Sequence, residues 1–234
     1  MRKITLLICT VILSVLLANA QDLNVGISAG IAFPEMKKAR SGLESHQKSL
    51  PFETRVTDNF PAWFEYKIEV NADFDRVMFG IYFIRSTTGG RISSRDFSAN
   101  YFYNVENRNV AFGFSTKLLI EELHQTRLFI ILGAGVQHLN SNINEELLLY
   151  SNNKKVVYKN LKIDVQGFHT IVGFNAEKKI TNNISVAAYL NYYFSPAYTR
   201  SSDYYSGDWK GFRTGLTLCL IIPENIEKFS RVDQ

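Results

Sequence analysis

The chain has 234 residues, with 26 Lys and Arg against 22 Asp and Glu, a net charge of +4. This near balance argues against a nucleic-acid-binding protein, which needs a basic face. The 46% hydrophobic and 21% charged content excludes a disordered chain, and 13% aromatic residues favours strands over helices. Cys9 and Cys219 are the only cysteines, which excludes a disulfide scaffold and a cysteine-based zinc site.

Residues 1–20 have the features of a secretory signal peptide. A short positive segment precedes about 14 mostly apolar residues, fewer than the roughly 20 that a membrane-spanning helix needs. A signal-peptidase motif follows, with small residues at Ala18 and Ala20 and the mature chain beginning at Gln21. We therefore expect an exported protein, and the alternative is an N-terminal membrane anchor.

Period-two alternation of apolar and polar residues recurs along the rest of the chain and predicts eight strands. The predicted strands are residues 23–33, 61–71, 74–86, 108–121, 127–139, 163–177, 184–195 and 210–222. Three short connections alternate with four long ones, and the long ones are residues 34–60, 87–107, 140–162 and 196–209. This alternation is typical of an all-β, eight-stranded antiparallel up-and-down barrel. The aromatic residues 101–103 suggest a hairpin that extends beyond the barrel rim.

Each predicted strand separates into an uncharged, largely apolar face and a face that carries polar residues and most of the 14 glycines. Phe112 and Phe114 belong to the apolar set, for example, and Gly113 and Lys117 to the other. An eight-stranded barrel has room inside only for side chains or one small ligand. We therefore predict a transmembrane barrel, with large apolar residues facing lipid and every backbone hydrogen bond closed between strands.

Several segments of the mature chain carry a family resemblance. Residues 23–30, 132–136, 172–193 and 211–216 resemble strands of the small outer-membrane β-barrel proteins of Bacteroidota, the OmpA/OmpX-like and PorT-like families. The resemblance implies the outer membrane of a Gram-negative bacterium as the location. The chain departs from many such barrels because its last predicted strand is followed by a polar tail instead of ending on an aromatic residue.

Three regions are predicted from this reasoning. Residues 1–20 form the signal peptide, residues 21–222 the outer-membrane barrel and residues 223–234 a short periplasmic tail. An even number of strands returns the chain to the side where it began, which puts both termini in the periplasm. The tail is too short for the peptidoglycan-binding domain of full-length OmpA-type proteins.

The polar face predicts a cluster of charges inside the barrel. Glu65, Lys67 and Glu69 share one face of the second strand, and Lys117 and Arg213 belong to the same lumenal set. Since an isolated buried charge is costly, these side chains are expected to form a structural network of ion pairs and hydrogen bonds. A gated pore or a site for a small polar ligand is the alternative. The four histidines lack the close spacing of metal ligands, so neither a metal nor a cofactor is expected.

The function expected from these features is non-enzymatic. It is a structural, adhesion or envelope-assembly accessory role in the outer membrane, a PorT-like secretion component being one candidate. The expected partners are outer-membrane lipid and lipopolysaccharide, and an envelope or extracellular protein that binds the aromatic and arginine residues of the long loops. A lipid A-modifying enzyme is a second hypothesis, for which His46 with Ser45 or Ser49 is the candidate pair. A soluble periplasmic lipocalin-like carrier is the third.

Overall fold

Eight long antiparallel strands form a closed ring in the computed structural model, which describes residues 20–151, 154–195 and 209–223. In chain order the elements are β1 (Asp22–Pro34), α1 (Lys37–Ser49), β2 (Arg55–Asn59), β3 (Trp63–Asp73), β4 (Val77–Arg95), β5 (Ala99–Leu123), β6 (Thr126–Leu149), β7 (Lys154–Lys179), β8 (Ile184–Phe194) and β9 (Gly211–Pro223). Strands β3 to β9 each pair with the next in the chain, and β1 closes the ring between β9 and β3. The predicted eight-stranded antiparallel up-and-down barrel is confirmed.

The pairing of β1 with β9 joins the two ends of the barrel sequence. It runs along all 13 residues of β1, from Asp22 opposite Pro223 to Pro34 opposite Gly211. Inside the barrel, the hydroxyls of Ser28 and Thr217 share a hydrogen bond of 2.7 Å across this seam. The seam is therefore a full-length strand pair like the others in the ring.

Four of the strands are much longer than the sequence predicted. All 19 residues of β4 pair with β5, and β6 pairs with β7 as far as Leu149 opposite Lys154. The prediction of long loops at residues 87–107 and 140–162 is therefore wrong, because most of both segments continues the strands. In these segments buried apolar and more exposed polar residues still alternate, since Ile92, Val105 and Ile143 are each buried between polar neighbours. The expected hairpin extension at residues 101–103 is confirmed.

The predicted loop at residues 34–60 is also wrong, since it contains α1 and β2. The helix has one buried stripe, made by Ala39, Gly42 and Leu43 together with Met36 just before it. Strand β2 pairs with the extension of β4, where Asn59 lies opposite Gly90. The fourth predicted loop, residues 196–209, lies outside the described residues except for Trp209. No helix of the described residues is long and apolar enough to cross a membrane.

The helix packs into the extended end of the barrel and forms an apolar cap there. The buried residues of this cap come from α1, the extended strands and the segments beside them: Met36, Ala39, Leu43, Phe60, Ile92, Tyr101, Tyr103, Val105, Leu139, Ile143 and Trp209. Gly90 lies under them, and a Cβ atom at this position would be 2.8 Å from the Phe60 ring and 2.9 Å from Leu43. The cap therefore needs a residue without a side chain at Gly90.

The two faces of the strands differ as the sequence predicted. The outer face is apolar and exposed, as Phe114 (61%) and Phe168 (64%) illustrate. The inner face is polar and buried, and Glu69 and Lys117 are each only 2% exposed. This is the reverse of a water-soluble barrel, where the apolar face is the buried one.

Two facing glycines make room for aromatic side chains inside the barrel. Gly113 of β5 lies opposite Gly135 of β6. A Cβ atom on Gly113 would be 2.7 Å from Cζ of Tyr82, and one on Gly135 would be 2.8 Å from Cε1 of His169. Both distances are too short for real contacts, so the positions of Tyr82 and His169 depend on this glycine pair.

We predict that Gly135→Val destabilises the barrel by about 1–3 kcal/mol, because the added side chain overfills the lumen against His169. The matched control is Ala134→Val, which adds bulk to the neighbouring residue on the exposed outer face. Urea titration of the protein folded in lipid vesicles measures both changes in the free energy of unfolding. Equal losses for the two variants would contradict the inward orientation of residue 135.

Candidate functional site

The middle of the lumen holds one carboxylate between two ammonium groups. Lys67 and Glu69 are two residues apart on β3 and therefore point to the same face. Nζ of Lys67 lies 2.8 Å from Oε2 of Glu69, and Nζ of Lys117 from β5 lies 2.6 Å from Oε1. Each oxygen of Glu69 thus accepts a hydrogen bond from a different cation. Lys67 also lies 5.0 Å from the ring centroid of Tyr189, within the range of a cation–π contact.

A second pair, Glu65 and Arg213, lies nearer the apolar cap. Their side chains are in contact although β1 runs between β3 and β9. Glu65 lies opposite Gly30 and Arg213 opposite Ala32, so the small residues of β1 leave space for the two side chains to meet across it. Arg213 also donates a hydrogen bond to the carbonyl oxygen of Trp209, at 3.4 Å.

A third group of charges lies at the opposite end, beside the short turns. Arg127 donates hydrogen bonds to Asp73 at 2.8 Å and to Glu177 at 3.5 Å. Glu177 also accepts a hydrogen bond of 2.5 Å from the hydroxyl of Ser185. The sequence analysis missed this group, although extending the parity of β3 from Glu69 by four residues would have placed Asp73 on the lumenal face.

Aromatic side chains connect the upper ion pair to the far wall of the barrel. The guanidinium of Arg213 lies 3.9 Å from the ring centroid of Tyr193, and that ring stacks on His169 with centroids 4.7 Å apart and planes 10° apart. Nε2 of His169 is 2.6 Å from the hydroxyl of Tyr82. These contacts run from β9 through β8 and β7 and then across the interior to β4. The sequence analysis assigned none of the three aromatic residues to them.

Of the predicted site residues, the structure brings Lys67, Glu69 and Lys117 into one cluster and Glu65 and Arg213 into another. Among the described residues, the ion pairs of the three groups join four cations to four carboxylates: Lys67, Lys117, Arg127 and Arg213 to Glu65, Glu69, Asp73 and Glu177. Because each of these charges already has a protein partner, none needs a ligand to compensate it, and the geometry favours a structural role for these residues.

The residues of the predicted cleavage motif lie at the beginning of β1 or outside the described part of the chain. Ala18 is outside it. Ala20 is buried, and the backbone N–H of Gln21 donates a hydrogen bond of 2.8 Å to the carbonyl oxygen of Asp73. The signal peptide and the tail beyond Pro223 also lie outside the described residues and stay predictions.

His46, the candidate for an enzymatic site, holds the helix against the extended strands. Its Nε2 is 3.0 Å from the hydroxyl of Tyr101 and 3.8 Å from Glu145, and its ring lies 4.0 Å from that of Tyr103. The hydroxyl of Ser49 donates to the backbone carbonyl of His46 instead of to the imidazole. Burial lowers the pKa of His46 despite the opposing effect of Glu145. These contacts anchor α1 and do not form a serine–histidine pair.

Within the described ranges, no three His, Cys, Asp or Glu residues are grouped closely enough to hold a metal ion. The two histidines with carboxylate contacts, His46 and His138, each have one acidic neighbour at 3.2–3.8 Å and lie on different parts of the barrel.

We predict that Glu69→Gln lowers the free energy of unfolding by about 3–5 kcal/mol, because it leaves two buried ammonium groups without their shared anion. The control is Glu106→Gln, which breaks an exposed pair with Arg108 and should cost less than about 1 kcal/mol. Urea titration in lipid vesicles measures both. If the two variants are equally stable, the lumenal pair does not hold the barrel together.

Comparisons with known proteins identify similar barrels but no family. No protein-family model and no curated protein matches the chain. The resemblance to the OmpA/OmpX-like and PorT-like families therefore stays a prediction.

Among solved structures, the chain is similar to three small surface or outer-membrane proteins. Ail, the attachment invasion locus protein of Yersinia pestis, crystallised with the heparin analogue sucrose octasulfate, shares 9% identity over 86% of this chain and 97% of its own, with a TM-score of 0.39. The outer membrane protein OprG from Pseudomonas aeruginosa shares 8% over 88% and 97%, with a TM-score of 0.45. Neisserial surface protein A shares 8% over 87% and 97%, with a TM-score of 0.36. All three TM-scores are below 0.5. The assignment of the fold is therefore based on the strand pairing of this chain, and any functional proposal is based on its own residues.

Proposed function

We propose that this chain is a non-enzymatic outer-membrane β-barrel protein that presents a capped, extended sheet on the surface of a Gram-negative cell. The observation that carries the proposal is the continuous apolar outer face of the ring. It includes exposed residues from all eight strands, among them Ile27, Phe64, Phe79, Phe114, Leu132, Phe168, Leu190 and Leu216. An exposed apolar surface of this extent is rare on a soluble monomer, and hydrocarbon covers it without cost.

The closed ring supports the same proposal. In hydrocarbon, a backbone group without a partner is costly, and a closed barrel pairs its strands on both sides. The ring of this protein has no edge at the level of the apolar face, because β1 pairs with both β3 and β9. The short strands are 11 to 13 residues long, which is sufficient for a tilted strand to cross a bilayer.

The extension of β4 to β7 supports a role in recognition at the cell surface. Its first hairpin ends at Phe97, whose side chain is 98% exposed. The turn is held by Asp96, which accepts hydrogen bonds from the hydroxyl of Ser98 at 2.7 Å and from the backbone N–H groups of Ser98 and Ala99 at 2.7 and 2.8 Å. These hydrogen bonds, led by that of the Ser98 hydroxyl, hold the pKa of the Asp96 carboxyl below its usual range. An exposed aromatic side chain at the tip of a hydrogen-bonded turn is suited to contact a protein partner.

The other hypotheses have less support. A lipocalin-like carrier would present an apolar interior to its ligand, whereas the described interior of this barrel carries the charged residues of three ion-paired groups. A lipid A-modifying enzyme would need a nucleophile or base in position, and His46 instead anchors the helix. Adhesion and an accessory role in envelope assembly would use the same projecting surface, so the partner that binds the Phe97 hairpin distinguishes them.

We predict that Leu132→Arg impairs insertion, with a cost of about 2–4 kcal/mol for a cation near the bilayer midplane. Leu132 is 44% exposed on the outer face of β6. The control is Asn144→Arg, on the same face of the same strand but on its extension beyond the apolar face. Folding into lipid vesicles, followed by heat-modifiable electrophoretic migration, measures both. Normal insertion of Leu132→Arg would overturn the proposal of a lipid-facing wall.

The proposal also predicts the orientation of the barrel. Barrels of this kind keep short turns on the periplasmic side and long connections outside. A membrane-impermeant maleimide should therefore label Phe97→Cys on intact cells and label Gln125→Cys, in the short β5–β6 turn, only after permeabilisation. The parent protein is the control, since Cys219 is buried. If only Gln125→Cys were labelled on intact cells, the barrel would have the opposite orientation to the predicted one.

A further inference from the structure

A group of cations lies on the outer surface of β4 to β7, directly beyond the apolar face. One row of paired residues crosses these four strands at this level: Arg85 lies opposite Val110, Val110 opposite His138, and His138 opposite Gln166. On the apolar side of the row stand residues such as Val136 and Phe168, which are more than half exposed. The row therefore marks the boundary between the apolar face and the polar extension.

The cations of this boundary surround a surface depression. Arg85, Arg108 and Lys162, here called the cationic site, line a depression of about 380 Å³ together with Val110, His138 and Asn140. All three cationic residues are exposed. Arg85 donates a hydrogen bond of 3.3 Å to the hydroxyl of Tyr66, a neutral partner. The site is therefore open to an anion from outside.

Two carboxylates border the cationic site without occupying it fully. Glu106 lies 2.7 Å from Nε of Arg108, leaving the other nitrogens of that guanidinium available. Asp164 is 3.2 Å from Nε2 of His138 and accepts a hydrogen bond of 2.6 Å from Asn140. Because both pairs are exposed, they are weak and can exchange for a more highly charged anion.

An apolar depression adjoins the cationic site on its membrane side. It has a volume of about 420 Å³ and is lined by Val136, Gln137, His138, Gln166, Gly167 and Phe168. His138 lines both depressions, so they adjoin each other at this residue. A ligand that fits both must be amphipathic, with an anionic head beside the arginines and an apolar chain along Phe168.

Among the described residues, the boundary at β1, β8 and β9 lacks this combination. At the corresponding end of β1, β8 and β9 the outer surface is aromatic, with Tyr192 packed edge-on against Phe212 at 5.0 Å. The nearby lysines Lys37 and Lys210 lie 3.4 and 3.7 Å from the same carboxylate, that of Glu35. The cations there are engaged with protein, whereas those on the β4–β7 side surround an open depression.

We propose that the cationic site binds the phosphorylated sugar head of a glycolipid of the outer leaflet, with one acyl chain in the adjoining apolar depression. Guanidinium groups match phosphate oxygens in pairs, and Lys162 adds a point charge. The site rests on the proposed function, because it needs the barrel to sit in a membrane with the extension outside. It would also hold the four long strands at a defined depth in the leaflet.

The test compares glycolipid retention by two charge-matched triple variants. The first is Arg85→Gln, Arg108→Gln and Lys162→Gln, which removes the cationic site. The control is Arg55→Gln, Arg91→Gln and Arg95→Gln, three exposed cations of β2 and the β4 extension. Each detergent-purified barrel is incubated with diphosphorylated lipid A, and native mass spectrometry measures the bound fraction. We expect the first variant to lose affinity about tenfold or more, and the control to match the wild type.

Two further arms identify the ligand chemistry. Dephosphorylated lipid A should bind the wild type as weakly as phosphorylated lipid A binds the first variant. Inorganic phosphate at equal concentration should not displace the lipid, because it lacks the acyl chains. Equal retention by both triple variants, equal binding of dephosphorylated lipid A, or displacement by inorganic phosphate would each overturn the proposal.

Fractionation separates this proposal from the proposed function. All variants change exposed residues, so each should reach the outer membrane and show heat-modifiable migration. If the wild-type chain does not fractionate with the outer membrane, the proposed function itself is contradicted. A first variant that fractionates normally and still binds the lipid contradicts the cationic site alone.

Discussion

The ion pairs inside the barrel constrain the rest of this structure, because a charge held in a narrow lumen must have a partner. Glu69 takes one cation from its own strand and one from β5, so β3 and β5 must keep their register through β4. The contact between Glu65 and Arg213 likewise requires β3 and β9 to keep their register through β1. The pair of Glu65 and Arg213 spans β1, whose small lumenal residues Gly30 and Ala32 leave space for it.

The apolar outer face and the charged interior support each other. In the proposed membrane setting the outer face meets hydrocarbon, so the charged residues of the barrel wall turn inward, where side chains replace water. Tyr82, His169 and Tyr193 fill the space between the charged groups and complete the crossing of the lumen. Above them, the apolar cap around Leu43 and Phe60 ends the polar interior. The described interior therefore contains side chains of two chemical kinds, paired charges with aromatic rings between them and an apolar cap at the extended end.

The sequence predicted the ring and its two faces because alternation with period two is a local signal that survives in one sequence. It did not predict the length of β4 to β7, since their upper parts, such as residues 99–107, contain polar and turn-forming residues that resemble a loop. It missed α1 because only Met36, Ala39 and Leu43 mark its buried stripe, and no side chain caps its first turn. The partners of individual charges depend on register across strands, which alternation does not specify. Arg127 and His169 therefore acquire their roles only in the folded barrel.

The seam between β1 and β9 has a consequence for how the chain folds. The hydrogen bond between Ser28 and Thr217 joins residues 189 positions apart, so it forms only after the last strand is available. Contacts between such distant residues are slow to form, because the loop they close is long. Until then the sheet has two open edges and its lumenal carboxylates and ammonium groups remain hydrated. Closure of the seam is therefore also the step that dehydrates the interior, and an assembly factor that holds the first and last strands apart would delay both together.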